Sequence, residues 1–257
     1  MININSSFRL APGKGVGQGG KAMIFAAGLG SRLKPWTDHH PKALAVVNGK
    51  SLLQRNIEYL QKHGVYDVIV NVHHFADQIV DAIEKNKGWG STVTISDETD
   101  AVLETGGGLQ KAAWYFEDTE DFVVMNVDIL TNMDLTAMIT QHRHQKPLAT
   151  LAVSQRETSR YFLFDEQDVL CGWRNTVKEE ERLVRQAQTL IQKAFSGIHV
   201  INTVLLKLMK QQGKFSMVDV YLDLAKDHII SSFDHTGAKL IDVGKPESIV
   251  KAEAIFP

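Results

Sequence analysis

The sequence predicts an α/β fold in which helices cover both faces of a mostly parallel central sheet, giving three layers. Three short apolar segments, 22–27, 67–72 and 92–96, have the composition of buried strands. Two amphipathic segments, 52–63 and 75–86, lie between them and have helical spacing. This alternating order favours parallel strands joined by right-handed crossovers. Ligands bind such sheets beyond the carboxyl ends of the strands, so we expect functional residues directly after them.

The composition is typical of a globular protein with an apolar core. Of the 257 residues, 44% are hydrophobic, and the formal net charge is −2, so we expect no nucleic-acid and no membrane partner. No apolar run approaches the roughly 20 residues that span a bilayer, and the first residues lack the pattern of a secretory signal. The single cysteine, Cys171, allows no internal disulfide. We therefore expect a cytoplasmic protein, either a monomer or a homodimer.

The chain divides into a short tail and one domain. Residues 1–20 are rich in glycine and predict a flexible N-terminal tail. The tail contains a formal GxGxxG at 15–20, but no apolar strand precedes it, so we interpret the match as chance. Residues 21–257 are expected to form a single domain.

The remaining elements follow from apolar spacing and from helix start and stop signals. We expect helices at about 109–116, 135–145, 218–226 and 247–254, and strands at 122–128, 148–154, 161–164, 169–173, 194–201, 229–233 and 239–242. Ser51 and Asp134 are predicted helix N-caps. The charged stretch 175–192 fits either a solvated helix or a hairpin, and we favour extended structure.

The turn after the first strand has the features of a polyphosphate site. Gly28 and Gly30 let the backbone turn sharply and leave its amides accessible. Arg32 and Lys42 add two cations, and a guanidinium can grip two phosphate oxygens at once. The turn lacks the Lys-Ser or Lys-Thr pair of the ATPase P-loop and the third glycine of the dinucleotide fingerprint.

Two further patterns indicate ligand binding. Gly106, Gly107 and Gly108 precede the helix expected from Leu109, where their unpaired amides could meet a flat or anionic ligand. Asp128 ends a buried strand at the ligand edge, where a charge requires compensation and Mg²⁺ is the natural partner. The segment before Asp242 repeats this arrangement.

The turn also matches the pattern GxG[ST]RLxPxT…PK, and it resembles the signature loop of the sugar-1-phosphate nucleotidyltransferases. The matching residues are Gly28, Gly30, Ser31, Arg32, Leu33, Pro35, Thr37, Pro41 and Lys42. Three later stretches are similar to family motifs in the family's order: LETGGG at 103–108, FSGI at 195–198 and DVGKPE at 242–247. The spelling LETGGG most resembles the compact uridylyltransferases that act on N-acetylmuramic acid 1-phosphate. Val127 replaces the usual glycine before the metal-binding aspartate, and Lys245 stands where threonine is usual.

The resemblance implies a Rossmann-like, GT-A-like nucleotidyltransferase fold with a small sugar-facing β subregion. It implies catalytic roles for Arg32 and Lys42 and Mg²⁺ ligation by Asp128 and Asp242. The implied nucleotide-binding residues are Ala26, Ala27, Gly28, Gly30, Ser31, Glu98, Gly106 and Gly107. The implied sugar-binding residues are Glu104, Thr105, Asn126 and Gly197.

The implied reaction joins a nucleoside triphosphate and a sugar 1-phosphate and releases pyrophosphate. The attacking phosphate is already an anion, so positioning and electrostatics can suffice without a general base. We expect UTP and N-acetylmuramic acid 1-phosphate as substrates, in peptidoglycan recycling. The alternatives are GTP with mannose or heptose 1-phosphate, a CTP-dependent phosphocholine enzyme, a nucleotide sensor that has lost catalysis, and a dehydrogenase.

Overall fold

The computed structural model describes residues 20–257. The tail predicted for residues 1–20 therefore lies outside the described residues, apart from Gly20. The strands are β1 Lys21–Phe25, β2 Val46–Val47, β3 Lys50–Ser51, β4 Asp67–Val72, β5 Thr92–Asp97, β6 Asp121–Asn126, β7 Ile129–Thr131, β8 Ala149–Ser154, β9 Arg160–Phe164, β10 Leu170–Asn175, β11 Glu180–Leu183, β12 Ile191–Asn202, β13 Ile230–Asp234 and β14 Leu240–Asp242. The helices are α1 Leu52–Lys62, α2 Ala76–Lys85, α3 Glu104–Lys111, α4 Leu135–Gln145, α5 Val204–Leu208, α6 Met217–Leu224 and α7 Pro246–Ile255.

A ten-stranded mixed sheet forms the centre of the molecule, in the order β11-β10-β9-β12-β6-β1-β4-β5, with β8 and β13 attached through β12. Its central part is parallel, because β1 pairs in parallel with both β4 and β6, and β4 pairs in parallel with β5. β12 runs antiparallel to β6. Beyond it, β9, β10 and β11 form an antiparallel extension. The predicted α/β fold is confirmed.

The alternation of side chains along β1 explains the three layers. Ala22, Ile24 and Ala26 point into one apolar core, and Met23 and Phe25 point into the other. The first core contains the apolar faces of α1 and α2, and the second contains α6. Successive residues of a strand face opposite sides of the sheet, so a strand buried on both sides is apolar throughout.

Both predicted N-caps are confirmed. The Ser51 side chain accepts a hydrogen bond from the Gln54 amide at 3.1 Å. The Asp134 carboxylate accepts one from the Ala137 amide at 3.0 Å. Each cap satisfies one of the amides that the first turn of a helix leaves without a partner.

The prediction for the glycine cluster at 106–108 was wrong in one respect. We expected the helix to begin at Leu109, but α3 begins at Glu104, so the three glycines lie inside it. A Cβ on Gly106 would lie 2.4 Å from the Phe215 ring, and one on Gly107 would lie 2.2 Å from the Gly213 carbonyl oxygen. Close packing therefore outweighs the poor helix propensity of glycine.

Extended structure between 175 and 192 is found in part, since β11 forms an exposed hairpin arm against β10. Within residues 20–257, no helix combines the length and the apolar character that crossing a membrane requires.

Candidate active site

A cavity of about 260 Å³ lies where the parallel strands β1, β4, β5 and β6 end. Parallel strands bring their carboxyl ends to one edge of a sheet, which is where ligands bind in such folds. The lining residues that the sequence predicted as site residues are Ala27, Gly28, Lys42, Glu98, Glu104, Thr105, Asn126 and Asp128. Phe25, Asn71 and Val102 complete the lining.

The loop after β1 folds back as short 3₁₀ turns, Ser31–Leu33, Trp36–Asp38 and Lys42–Leu44. Gly30 adopts φ 62°, and a Cβ there would lie 2.8 Å from the Thr37 methyl group and 3.1 Å from Lys42 Cβ. The missing side chain thus allows the loop to close and to bring Lys42 to the cavity.

The two predicted phosphate-loop glycines differ in their surroundings. A Cβ on Gly28 would have nothing within 4 Å, and Gly28 lines the cavity. Gly30 does not line it, and neither does the neighbouring Ser31. The structure therefore assigns Gly28 to the open side of the loop and Gly30 to its packing.

Lys42 and Asp128 form a nearly buried ion pair at the cavity wall. The Lys42 ammonium donates to Asp128 Oδ2 at 2.6 Å, and the side chains are 15% and 11% exposed. Asp128 lies two residues beyond the end of β6, where the strand was expected to continue to it. A buried charge of this kind needs a partner of opposite sign, and each residue provides it for the other.

Asp242 reaches the same place from the other end of the chain. β14 pairs with β7, which aligns Asp242 with Ile129, and the Val243 amide donates to the Asp128 carbonyl at 2.8 Å. Partial burial and the nearby charge of Asp128 raise the pKa of the Asp242 carboxyl. Asp128 and Asp242 therefore share one site, as the sequence predicted.

Arg32 faces the same carboxylates from the loop. Its Nη2 lies 3.7 Å from Asp242 Oδ2, and its side chain is 58% exposed. A Cβ on Gly244 would lie 2.7 Å from Arg32 Nη2, so the glycine after β14 leaves room for the guanidinium. Arg32 and Lys42 thus each place a cation beside one member of the acidic pair.

The donor set fits a magnesium ion. Residues 20–257 contain no cluster of three or more His, Cys, Asp or Glu side chains suited to holding a metal. Mg²⁺ commonly binds one or two carboxylates and takes its other ligands from water and substrate phosphates. The carboxylates of Asp128 and Asp242 lie close enough to repel each other, and together they meet this requirement.

Asn71 is a site residue that the sequence reasoning missed. Its Oδ1 accepts hydrogen bonds from the amides of Ala26 at 2.7 Å and Ala27 at 3.3 Å. Its Nδ2 donates to Glu98 Oε1 at 2.8 Å. The signal was a buried polar residue near the end of an otherwise apolar strand. The Ala26 and Ala27 amides therefore have a partner within the protein, and the nucleotide-binding role implied for these two residues stays a prediction.

The amides of Gly106 and Gly107 are also occupied. Both donate to the Phe215 carbonyl, at 2.9 and 3.3 Å, and neither glycine lines the cavity. These amides are therefore not unpaired, as the sequence led us to expect, because α3 packs against the 213–215 segment. A nucleotide-binding role for Gly106 and Gly107 stays a prediction. Thr105 and Glu104 do line the cavity.

Both of these lining residues have protein partners. Thr105 Oγ1 accepts a hydrogen bond from the Met217 amide at 3.0 Å. Glu104 lies 3.6 Å from the Lys214 ammonium and adopts φ 58°, which non-glycine residues rarely do. Strained backbone of this kind often accompanies a ligand site.

Gly197 supports Asn126 rather than lining the cavity. It adopts φ 73° in β12, and a Cβ there would lie 2.9 Å from Asn126 Nδ2. The register between β12 and β8 shifts in this region, so the strand has a local irregularity. Asn126, at the end of β6, lines the cavity.

Arg156 is a further cation that the sequence reasoning missed. It follows β8, and its Nη2 donates to the Phe195 carbonyl at 2.7 Å, two residues before Gly197. Burial lowers the pKa of Arg156, and the negative charge of Asp242 offsets part of this effect. Arg156 thus adds positive charge on the β12 side of Asp242. The sequence offered no signal for it, because Arg156 belongs to a loop between strands.

The chain is similar to curated enzymes and to a solved structure over most of its length. It is 29% identical over 242 residues to the N-acetylmuramate alpha-1-phosphate uridylyltransferase of Caulobacter vibrioides, covering 91% of this chain and 95% of that enzyme. It is 24% identical over 239 residues to the mannose-1-phosphate guanyltransferase of Yarrowia lipolytica, covering 92% of this chain and 64% of that enzyme. The solved structure of HddC from Yersinia pseudotuberculosis complexed with GMP-PN is similar, with a TM-score of 0.72 and 25% identity, covering 93% of this chain and 100% of that one.

Residues 21–256 match the family model described as Nucleotidyl transferase. The match covers nearly the whole described chain, and the curated relatives transfer nucleotides to sugar 1-phosphates by name. The chain therefore belongs to the nucleotidyl transferase family and is a sugar-1-phosphate nucleotidyltransferase of nucleotide-sugar biosynthesis.

Proposed function

We propose that the protein transfers the uridylyl group of UTP to N-acetylmuramic acid 1-phosphate and releases pyrophosphate. The observation that carries the reaction is the convergence of Arg32, Lys42, Asp128 and Asp242 on one place, where Lys42 and Asp128 line the cavity. The choice of sugar is supported by the similarity to the Caulobacter vibrioides uridylyltransferase over nearly the full length of both chains. Such a product belongs to cell-wall recycling in the cytoplasm.

The residues of the site fit an in-line attack on the α-phosphorus. The sugar phosphate oxygen attacks, the bond to the pyrophosphate oxygen breaks, and no proton has to be removed from the nucleophile at neutral pH. Lys42 neutralises charge at the α-phosphate and the incoming phosphate. Arg32 grips the leaving pyrophosphate. Both cations act by lowering the repulsion between anions, so their effect is strongest in the transition state.

Asp128 and Asp242 would hold Mg²⁺, which would neutralise charge on the phosphate oxygens. Lys42 balances the charge of Asp128 from the protein side, through the ion pair at 2.6 Å. The protein's part is to keep both carboxylates ionised and close together.

Arg156 favours an acidic sugar. N-acetylmuramic acid carries a carboxylate that N-acetylglucosamine and mannose lack. Arg156 lies against Phe195 on the strand that carries Gly197, the residue behind Asn126. A guanidinium at this position offers a planar fork to a carboxylate, and such a charge-assisted pair discriminates against neutral sugars.

GTP with mannose 1-phosphate or a heptose 1-phosphate is the second candidate. It is favoured by the similarity to the Yarrowia lipolytica guanyltransferase and to HddC complexed with GMP-PN. Uracil and guanine share a ring N–H, so one site can accept either base after small changes.

The test is a pyrophosphate-release assay with Mg²⁺, four nucleoside triphosphates and a panel of sugar 1-phosphates. N-acetylmuramic acid 1-phosphate and N-acetylglucosamine 1-phosphate form the decisive pair, because they differ only in the lactyl group. We expect UTP with the muramic acid substrate to give the highest kcat/KM. We expect Arg156→Gln to reduce the preference for the acidic sugar at least tenfold, about 1.4 kcal/mol.

Higher kcat/KM with GTP and mannose or heptose 1-phosphate would replace the proposal by its alternative. The assay also includes CTP with phosphocholine, which tests the CTP-dependent alternative. A preference for the acidic sugar that Arg156→Gln leaves unchanged would remove the assigned role of Arg156 while leaving the substrate assignment intact.

A further inference from the structure

Asn71 occupies the centre of the ligand edge, between the strand that begins the phosphate loop and the strand that leads to Glu98. It is 2% exposed, and in the sheet register it lies beside Phe25 of β1 and Ser96 of β5. Its single amide group connects both sides of the cavity, since it bonds the Ala26 and Ala27 amides and the Glu98 carboxylate.

The neighbours of Asn71 fix which way its amide points. Two backbone N–H groups face one atom of the Asn71 amide, so that atom must be the oxygen. The nitrogen must then face Glu98, and a nitrogen donor requires an acceptor there. Glu98 Oε1 is therefore held as an acceptor, and it cannot turn away because α3 closes over it. A Cβ on Gly108 would lie 2.7 Å from Glu98 Oε1 and 3.0 Å from Asn71 Nδ2.

Glu98 lines the cavity although the residue is only 1% exposed. The nearby Leu103 amide also lowers the pKa of the Glu98 carboxyl. Because Oε1 of Glu98 accepts the hydrogen bond from Asn71, the other carboxylate oxygen is the one that Glu98 can offer to a ligand, and it too is an acceptor. Burial raises the pKa of Glu98, and the hydrogen bond from Asn71 lowers it, so Asn71 supports the ionised form.

We propose that Asn71 is a positioning residue that sets base selectivity: it makes Glu98 present a hydrogen-bond acceptor to the base while it fixes the start of the phosphate loop. An acceptor favours bases with a ring N–H, which are uracil, thymine and guanine. It disfavours cytosine, whose corresponding ring nitrogen is itself an acceptor. This inference rests on the proposed function only in that the cavity binds the nucleoside triphosphate.

The polarity of this network can be reversed without changing its shape. In Glu98→Gln, the new amide oxygen must accept from Asn71, so its NH₂ group faces the ligand as a donor. In the double variant Asn71→Asp with Glu98→Gln, the introduced carboxylate accepts from the Ala26 and Ala27 amides and from the glutamine NH₂ group. The glutamine oxygen then faces the ligand, and the acceptor is restored. In Asn71→Asp alone, two carboxylates meet with no donor between them.

The experiment measures kcat/KM for UTP and for CTP with one sugar 1-phosphate in the wild type and the three variants. We expect Glu98→Gln to lower the UTP-to-CTP ratio at least tenfold. We expect Asn71→Asp to raise KM for UTP at least tenfold with a smaller change in kcat. The double variant should recover the UTP-to-CTP ratio of kcat/KM to within about threefold of the wild type. If Asn71 had a purely structural role, the losses caused by the two single substitutions would instead add in the double variant. Thermal unfolding and circular dichroism of each variant check the fold.

An unchanged ratio in Glu98→Gln overturns the inference, and so does a double variant worse than both single ones. If Asn71→Asp does not fold, Asn71→Ser replaces it, since serine is too short to reach Glu98, and it should lower the ratio at least threefold. A wild type that prefers GTP over UTP defeats the proposed substrate but leaves this inference standing, with the ratio measured for GTP. A wild type that prefers CTP overturns the inference but leaves nucleotidyl transfer standing.

Discussion

Lys42 and Asp128 are 86 positions apart in the chain, yet their charged atoms lie 2.6 Å from each other. Each of these nearly buried charges depends on the other. Burial, together with the repulsion from Asp128, raises the pKa of Asp242. At the scale of single residues, the site holds opposite and like charges close together. A site of this kind should respond strongly to removal of one charge.

Asp128→Asn should lower kcat/KM at least a hundredfold, about 3 kcal/mol of transition-state stabilisation. The substitution keeps the shape but removes the charge that balances Lys42 and supports the metal. Pyrophosphate release measures the effect. Asp219→Asn, at an exposed pair with Arg182, is the matched control and should keep the wild-type rate. Near-normal turnover by Asp128→Asn would contradict the metal role.

His199 should make the protein sensitive to acid. It is fully buried beside the Tyr221 hydroxyl, and burial lowers its pKa to about 3. In the unfolded chain the His199 imidazole becomes protonated near pH 6.5. In the folded protein it stays neutral at that pH. The stabilising effect is therefore complete above pH 6.5 and is lost as the pH falls, by up to about 1.4 kcal/mol per pH unit. Urea unfolding at pH 7.5, 6 and 5 should show a shallower loss for His199→Gln than for the wild type. Equal pH dependence in the two proteins would exclude this role.

At the scale of elements, β12 determines how the sugar side of the cavity is built. It connects the parallel part of the sheet to the antiparallel extension, since it pairs with β6, β8 and β9. Its Gly197 brings the strand backbone against Asn126 of β6. A side chain at this position would push against a residue that lines the cavity.

Gly197→Ala should raise KM for the sugar 1-phosphate and lower the unfolding free energy by about 1–3 kcal/mol. The Cβ would meet Asn126 Nδ2 at 2.9 Å, in addition to the strain of φ 73°. Gly64→Ala is the matched control, because Gly64 has φ 79° with nothing within 4 Å of its Cβ position. It should cost about 1 kcal/mol and leave KM unchanged. If the two variants had equal KM values for the sugar 1-phosphate, Asn126 would have no role in sugar binding.

At the scale of the whole molecule, two short strands far apart in the chain assemble the site. Pairing of β7 with β14 carries Asp242 to Asp128, while the loop after β1 brings Arg32 against Asp242. Residues from both ends of the described chain thus meet at one edge. Ligand binding there should stabilise the whole fold.

UTP with Mg²⁺ should raise the Tm by about 5–10 °C at a ligand concentration about a hundred times Kd, which corresponds to about 2.7 kcal/mol. Arg32→Gln should lose most of this shift, because the guanidinium is assigned to the phosphates. Differential scanning fluorimetry measures both proteins with UTP alone, Mg²⁺ alone and the two together. An unchanged Tm for the wild type with both present would argue against nucleotide binding at this cavity.

Local patterns in the sequence determined the order of the longer strands and helices, both N-caps, and the signature residues Gly28, Arg32 and Lys42. These features follow from the spacing of apolar residues and from backbone chemistry, which act over a few residues. The short elements β2, β3, β7 and α5 were not predicted. The common edge of the parallel strands also followed from their order, and with it the position of Asp128. Asp242 does not belong to that sheet, and the pairing of β14 with β7, a strand that the sequence analysis did not predict, brings it to Asp128.

Only the tertiary structure decided how the glycines and amides are used. Gly106 and Gly107 became packing positions because the 213–215 segment presses against α3, and Asn71 took the amides of Ala26 and Ala27. Arg156 lies near enough to Asp242 to interact with its charge, on a loop that carries no local pattern. A sequence specifies which donors and charges exist, but their partners lie far away in the chain, and only the folded arrangement of the strands selects them.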